Sequence, residues 1–399
     1  MKKNLLFVIP GLGAGGGEKS LVNLLTQIDF STYNIDLLLF NHNGIFMRYL
    51  PKEVNVLPLP DKFKIFALPV MQSVQRFLFK GNFNMAYHRI LFALGNKSIK
   101  DVSKKEQYNW KYFSKSFPVL EKKYDAAIGF LEKSSTYFCV DKVNANKKIG
   151  WVHIDYDKLG MDPNYDIKYF NQLDHIITVS EECSNILSHR FPSQKEKIDV
   201  IYNIVSPRVI EFMASQKIND EISHPAANQL SILTIGRLHE QKGYDLAIDA
   251  CRLLVDRGIN VRWSVIGEGE EREKLEKMIR GKQLENHFIL QGLKSNPYPF
   301  IEEADIYAQT SKFEGKSIAI DEAKILRKPI LVTNFSTAKD QINSGIDGII
   351  VEMSPAAIAD GIENLAQNHQ LRKTLSENLS KQELGTETEI NKLYRILRM

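Results

Sequence analysis

The sequence predicts an α/β protein made of two doubly wound domains, and three observations carry that prediction. The chain has 399 residues, more than a single hydrophobic core organises. Apolar runs of strand length alternate with helical stretches in two series, as parallel strands joined by crossover helices require. Between the series lies a polar break, SQKINDEISHPAANQ, at 215–229.

The first series opens on LLFVI (5–9), a strand that runs into the glycine loop GLGAGGG (11–17) and then KSLVNLLTQI (19–28), whose apolar residues recur at helical spacing. Lys2 and Lys3 before an apolar run imitate a signal peptide. The run is too short, however, and a helix pattern follows instead of a cleavage site. NIDLLLFN (34–41) and NVLPLP (55–60) are the next strands, 63–118 is mostly helical, and YDAAIGFL, KKIGWVHI, HIITVS and IDVIYN complete the series. The second series supplies SILTIG, VRWSVIG, HFILQG, DIYAQT, PILVTN and GIIVE. Leu246, Ala250, Leu253 and Leu254 form the i, i+4, i+7, i+8 stripe of a helix lying on a sheet. These patterns predict a first domain over 1–205 carrying a helical insert at 61–123, a second domain over 206–385, and a last helix in 386–399 that packs back on the first domain. Ligands of such sheets bind beyond the carboxyl ends of the strands, and two facing domains make a cleft there.

Composition narrows the class. With 43% hydrophobic and 25% charged residues the chain is globular. Cys139, Cys183 and Cys251 are odd in number and widely spaced, which argues against a disulfide framework and a zinc site and for a reducing, cytoplasmic setting. No stretch reaches the ~20 apolar residues of a membrane span. The net charge of +4 is unevenly placed, since 61–123 holds thirteen Lys/Arg against four acids.

The glycine loop matches GxGxxG between a strand and a helix, a dinucleotide fingerprint. A dinucleotide site also needs an acid closing the second strand, and Asn41-His42-Asn43 stands there. A P-loop needs GK[ST], and Glu18 intrudes before Lys19. A backbone that a phosphate can approach, at a helix N-terminus, survives these tests. So does a tight strand-to-helix turn without a ligand.

In the second series, TIGRLHEQKGYDLAIDA places Arg237 just past a strand and Lys242 just before a helix, a cation pair suited to a diphosphate or else two solvated surface charges. SKFEGKSIAIDEAKIL carries Glu314 in a loop and Glu322 on the following helix. Eight helical steps separate carboxylates by about 12 Å, beyond the about 5–9.5 Å of a glycosidase acid/base pair. The two therefore suit different parts of one long ligand.

In the order GRLHEQKG, VIGEGEEREKLE, FEGKSIAIDEA, with GAGGGEKSLVNL and GWVHID in the first half, the sequence resembles glycosyltransferase family 4, the retaining enzymes of the GT-B fold. The resemblance implies two Rossmann-like domains facing a central cleft and transfer of a sugar from a nucleotide diphosphate sugar co-substrate, with no other cofactor and no metal. It implies that Arg237 and Lys242 hold the donor diphosphate, that Gly15 and Gly16 close on it, and that Glu322 accepts hydrogen bonds from the ribose. Glu314 would lie beside the transferred sugar, with backbone N–H groups of Gly315, Lys316 and Ser317 meeting its hydroxyls or the β-phosphate. His153, ending its strand, would bond a sugar hydroxyl or steady transition-state charge. In such enzymes the leaving diphosphate helps deprotonate the incoming hydroxyl on the same face, so no nucleophile is needed. Lys316 departs from the apolar residue of many relatives.

Other readings stay open at this level. His153, Asp155 and Asp157 spell HxDxD, a metal-binding pattern; a nucleotide-sugar epimerase or a non-catalytic nucleotide-sugar binding protein would use the same cations and glutamates. The basic stretch has no nucleic-acid reading motif. Its interleaving of Phe, Leu, Ile and Met with Lys62, Lys64, Arg76 and Lys80 fits either an interfacial helix on anionic lipid or a core of aromatics with only the lysines in solvent. The interfacial reading places the enzyme on the cytoplasmic face of the membrane, working on a saccharide or lipid-linked saccharide acceptor of bacterial surface polysaccharide.

Overall fold

A computed structural model describes residues 2–13, 15–216 and 229–398. Most of the polar break read at 215–229 lies outside the described residues. The chain divides into two units. The first comprises Met1–Gly13, Leu21–Ile201 and Ile390–Met399, the second Ala14–Ser20 and Tyr202–Glu389.

The sheet of the first unit has seven parallel strands: β1 (Lys3–Ile9), β2 (Tyr33–Leu39), β3 (Val54–Val56), β4 (Tyr124–Phe130), β5 (Ala145–Val152), β6 (His175–Thr178) and β7 (Ile198–Val200), in the order β3-β2-β1-β4-β5-β6-β7. The order reverses at β1, so helices cover both faces and the inner strands are buried on both sides. Leu5 to Ile9 are all buried accordingly, which explains an unbroken apolar run in place of alternation. The chain end returns to this unit. Ile390, Leu393, Ile396 and Leu397 bury one face of the helix Ile390–Arg398, while Lys3 and Lys147 donate to the carbonyls of Leu397 and Ile396 at 3.0 and 2.7 Å. These bonds and the stacking of Tyr394 on Tyr33 tie the last helix down.

The second unit has six parallel strands: β8 (Leu230–Ile235), β9 (Val261–Ile266), β10 (Phe288–Leu290), β11 (Ile306–Gln309), β12 (Ile330–Thr333) and β13 (Ile349–Val351), ordered β10-β9-β8-β11-β12-β13. The order reverses between β8 and β11. Every strand read from the sequence is present. The helix Tyr244–Asp256 shows one shift of detail, for its buried face is Ala247, Ile248, Ala250, Cys251 and Leu254, with Leu246 and Leu253 only partly covered.

Between β3 and β4 run four helices, Asp61–Phe66, Val70–Phe79, Phe83–Ser98 and Val102–Phe113. Their aromatics divide. Phe63, Phe66 and Trp110 are buried with their rings against Phe113, as is Phe117 just after the last helix, and Phe77 is buried too, whereas Phe79, Phe83 and Tyr87 are exposed.

Candidate functional site

The residues singled out in the second unit meet at the carboxyl ends of β8 and β11. Past β8 the chain passes through Gly236 and exposed Arg237 into the short turn Glu240–Lys242. Gly243 then opens the helix Tyr244–Asp256 at a φ of 62°, the left-handed region, and a Cβ there would stand 2.1 Å from the Thr310 carbonyl oxygen. Only glycine fits both conditions. Thr310, one residue past β11, returns its hydroxyl to the carbonyls of Lys242 and Gly243 at 3.1 and 3.0 Å, so the two strand ends are stitched together.

That stitching sets Lys242 beside Glu314, with Nζ and Oε1 2.5 Å apart. The Glu314 carboxylate is 6% exposed and also accepts from Ser311 Oγ at 2.6 Å, Gln309 Nε2 at 3.0 Å and Gln241 Nε2 at 3.3 Å. Oxygens removed from water at this depth need such a set of donors as hydrogen-bond partners. These partners hold the carboxylate in one place.

Glu322, on the helix Ile318–Ile325, is 1% exposed. Its Oε1 forms an ion pair with Lys19 Nζ and accepts from the Tyr298 hydroxyl at 3.0 Å. Lys19 also lies over the Tyr298 ring, 4.7 Å from its centre. Burial works to lower the pKa of this lysine, but the Glu322 carboxylate and the Tyr298 hydroxyl outweigh it and hold the ammonium above its ordinary range. A ribose hydroxyl approaching Glu322 would therefore compete with Lys19.

Gly16 opens the helix Gly16–Gln27, and a Cβ added there meets nothing within 4 Å. A Cβ on Gly15 would collide with the Glu18 carboxylate, the movable end of a side chain. Burial raises the Glu18 pKa, and the charge of Arg237 pulls against that rise. Among the described residues no glycine of this loop has a left-handed φ. Of these glycines Gly16 has open space above its backbone, and a left-handed turn does not require them. Farther on, the Ser317 N–H donates to Gln341 Oε1 at 2.8 Å, Lys316 lays its ammonium over the Tyr202 ring, and the Lys316 carbonyl accepts from Asn203. Of the three backbone groups assigned to the ligand from sequence, that of Ser317 is thus already engaged inside the unit, while Gly315 joins the two glutamate-bearing segments.

His153 belongs to the first unit. It follows β5, its ring centre 4.6 Å from that of Phe130 and near-parallel to Trp151. Its backbone N–H donates to Glu132, while the buried Nε2 has no hydrogen-bond partner. Burial lowers its pKa to about 3, so the imidazole is neutral at physiological pH, an acceptor or donor of hydrogen bonds and not a source of positive charge. The other members of HxDxD have separate tasks. Asp155 caps the helix Tyr156–Leu159 through the N–H groups of Asp157 and Lys158, and Asp157 pairs with Arg190 at 2.8 Å. Among the described residues no group of three or more His, Cys, Asp or Glu side chains is placed to hold a metal ion.

Sequence reasoning passed over Lys19, Tyr298, Gln309 and Ser311. Lys19 served only to dismiss a P-loop. The polar run Gln309-Thr310-Ser311 closing an apolar strand was the available signal for the Glu314 cradle.

With this geometry in hand, residues 215–382 match the family of glycosyl transferases group 1. An uncharacterized glycosyltransferase of Methanocaldococcus jannaschii is 25% identical over 390 residues, 95% of this chain and 93% of that protein. The poly(ribitol-phosphate) alpha-N-acetylglucosaminyltransferase of Staphylococcus aureus is 26% identical over 234 residues, 56% of this chain. The chain spans only 45% of that relative's length. Another M. jannaschii glycosyltransferase is spanned over 43% of its length. Among solved structures, HepE of Anabaena in complex with UDP and glucose superimposes with a TM-score of 0.71 at 17% identity, covering 99% of both chains. The fold is therefore GT-B. Matched domain and fold together support a glycosyltransferase.

Proposed function

We propose that this chain is a retaining glycosyltransferase, moving a sugar from a nucleotide diphosphate sugar to a saccharide or lipid-linked saccharide acceptor in bacterial surface glycan synthesis, without a metal ion. The observation that supports the reading is that, in the second unit, Arg237 follows the end of β8, Lys242 is ion-paired with the buried Glu314 beyond β11, and the buried Glu322 on the next helix is ion-paired with Lys19, in the region where doubly wound sheets take their ligands. Each glutamate there is already neutralised, Glu314 by Lys242 and Glu322 by Lys19. Arg237, whose charge acts on the Glu18 carboxyl, is exposed at the end of β8 and able to fork onto phosphate oxygens.

On this reading Arg237 and Lys242, with the opening turn of the helix Tyr244–Asp256, take the diphosphate charge that a bridging divalent cation would otherwise carry. Glu322 exchanges Lys19 for the ribose hydroxyls. Glu314, immobile in its cradle, orients the transferred sugar instead of attacking it. This supports retention through the same-face route. In the first unit, the neutral His153 imidazole offers its unpartnered Nε2 to a sugar hydroxyl.

The test is calorimetric titration with UDP-, GDP-, ADP- and dTDP-sugars, followed by NMR of any product. UDP-glucose comes first, because the Anabaena neighbour was solved with UDP and glucose. A donor should bind, Arg237→Ala should weaken it roughly tenfold to a hundredfold as a lost charge-assisted contact, EDTA should leave turnover intact, and the product should keep the donor's anomeric configuration. Failure of every donor to bind would overturn the reading, an inverted product would remove retention, and loss of turnover in EDTA would remove metal independence.

A further inference from the structure

The sequence from Lys62 to Lys100 contains no acidic residue and seven Lys/Arg. Within it, the helices Val70–Phe79 and Phe83–Ser98 pack on each other as a hairpin. The turn between them is encoded locally. Gly81, at a φ of 67°, ends the first helix as its N–H and that of Asn82 return to the carbonyls of Leu78 and Phe77, and the Asn82 side chain caps the second by accepting from Met85 N. The hairpin is anchored from inside. Arg89, 8% exposed, donates to the carbonyls of Phe66 and Leu68 at 2.8 and 3.0 Å, while Phe77, Met85 and Ala86 fill a small core.

The outer face is unusual. Phe83, Tyr87, Ile90 and Leu94 recur at i, i+4, i+7, i+11 and are 69%, 59%, 42% and 55% exposed, so the second helix presents an apolar stripe to solvent opposite its buried one. Met71 and Leu78 add to it from the first helix, and Phe79 at the tip is 91% exposed. Around the stripe, Lys62, Lys64, Arg76, Lys80, Lys97 and Lys100 are all exposed. A core-facing helix would not carry a second apolar stripe, and single exposed apolar residues do not line up in this way.

We propose that this hairpin is a docking surface for an anionic lipid bilayer, with Phe79 and Phe83 entering the interface and Arg76, Lys80 and Lys97 meeting the phosphate headgroups. Charge selects this occupant. A rim rich in exposed cations, of which Lys64 is paired with Asp61, complements anionic lipid, whereas two copies of the surface face to face would bring like charges together. Within the described residues no helix is long and apolar enough to cross a membrane, so attachment here is peripheral. The inference does not rest on the transfer activity proposed above.

The experiment is flotation of the full chain with vesicles of phosphatidylcholine alone and of phosphatidylcholine with 30% phosphatidylglycerol, at low and high salt, about 30% being enough to give a surface the negative potential that attracts basic segments. The protein should float with the anionic vesicles only and be released by salt. Phe79→Ser with Phe83→Ser, and separately Arg76→Glu with Lys80→Glu, should each abolish most of the binding; a charge reversal near the surface weakens partition at least roughly fivefold. All four positions are exposed, so circular dichroism should be unchanged. Equal flotation on neutral vesicles, no flotation on anionic ones, or wild-type flotation of the variants would overturn the proposal. So would light scattering that finds a dimer which the two serine substitutions dissociate, since the face would then bind a second copy of the chain.

Discussion

Replacing Lys242 with Met removes the one cation paired with Glu314 among the described residues while keeping most of the aliphatic stem. The side chains of Lys242 and Glu314 are 18% and 8% exposed. Removing one partner of a buried pair costs about 3–5 kcal/mol, because the other charge is left in a poor solvent. Three neutral donors stay on Glu314, which puts the cost near the lower limit, about 3 kcal/mol. The mirror change, Glu314→Gln, leaves an ammonium that can turn toward water, and about 1 kcal/mol is the scale of the hydrogen bonds it loses. The double variant no longer buries an unpaired charge. Its destabilisation should therefore fall below the sum of the single changes, with a coupling of about 2 kcal/mol or more, within the range found for contacting residues. Scanning calorimetry of the four proteins measures this. A coupling below about 0.5 kcal/mol, the limit for independent sites, would refute the view that Lys242 and Glu314 depend on each other as a buried ion pair. Donor titration of the same proteins gives a second readout: the double variant should regain stability but not affinity, because it still lacks the cation assigned to the diphosphate.

Three further outcomes are expected. Gly243→Ala should destabilise the chain by about 1–3 kcal/mol, the cost of a strained left-handed residue, with its collision against Thr310 added, and thermal unfolding reads it. The imidazole of His153 should stay neutral from pH 8 to pH 5 by NMR, since burial holds its pKa at about 3. The unfolded chain takes up that proton near an ordinary histidine value, so this site's share of stability is intact above about pH 6.5 and shrinks as pH falls. Cys139, Cys183 and Cys251 are all buried, and burial pushes the Cys251 thiol up to about 12 and that of Cys139 higher still. Native protein should leave all three unreacted with a thiol reagent, and denatured protein should react at all three.

The strands were legible because doubly wound sheets bury both faces of their inner strands, which leaves unbroken apolar runs such as LLFVI and PILVTN that no surface element would carry. The placement of Arg237 just past β8, of Glu314 in the loop after β11 and of Glu322 on the following helix was legible as well, because the strands before them were. The hairpin turn at Lys80-Gly81-Asn82 is likewise local, set by one left-handed glycine and one capping asparagine. Pairing was not legible. That Glu314 takes Lys242, that Glu322 takes Lys19 from some 300 residues away in sequence, and that the Ser317 N–H goes to Gln341 all depend on where separate segments come to rest, and a carboxylate's sequence neighbours carry no record of its partner. The insert shows the same limit. Helical spacing places Phe77 and Phe79 in one amphipathic stretch, but one is 1% exposed and the other 91%. The sequence by itself determined that there would be apolar faces among basic residues. Only the packing of the hairpin on Phe66, with Arg89 bonded to the carbonyls of Phe66 and Leu68, decided which face was consumed by the core and which was left to solvent.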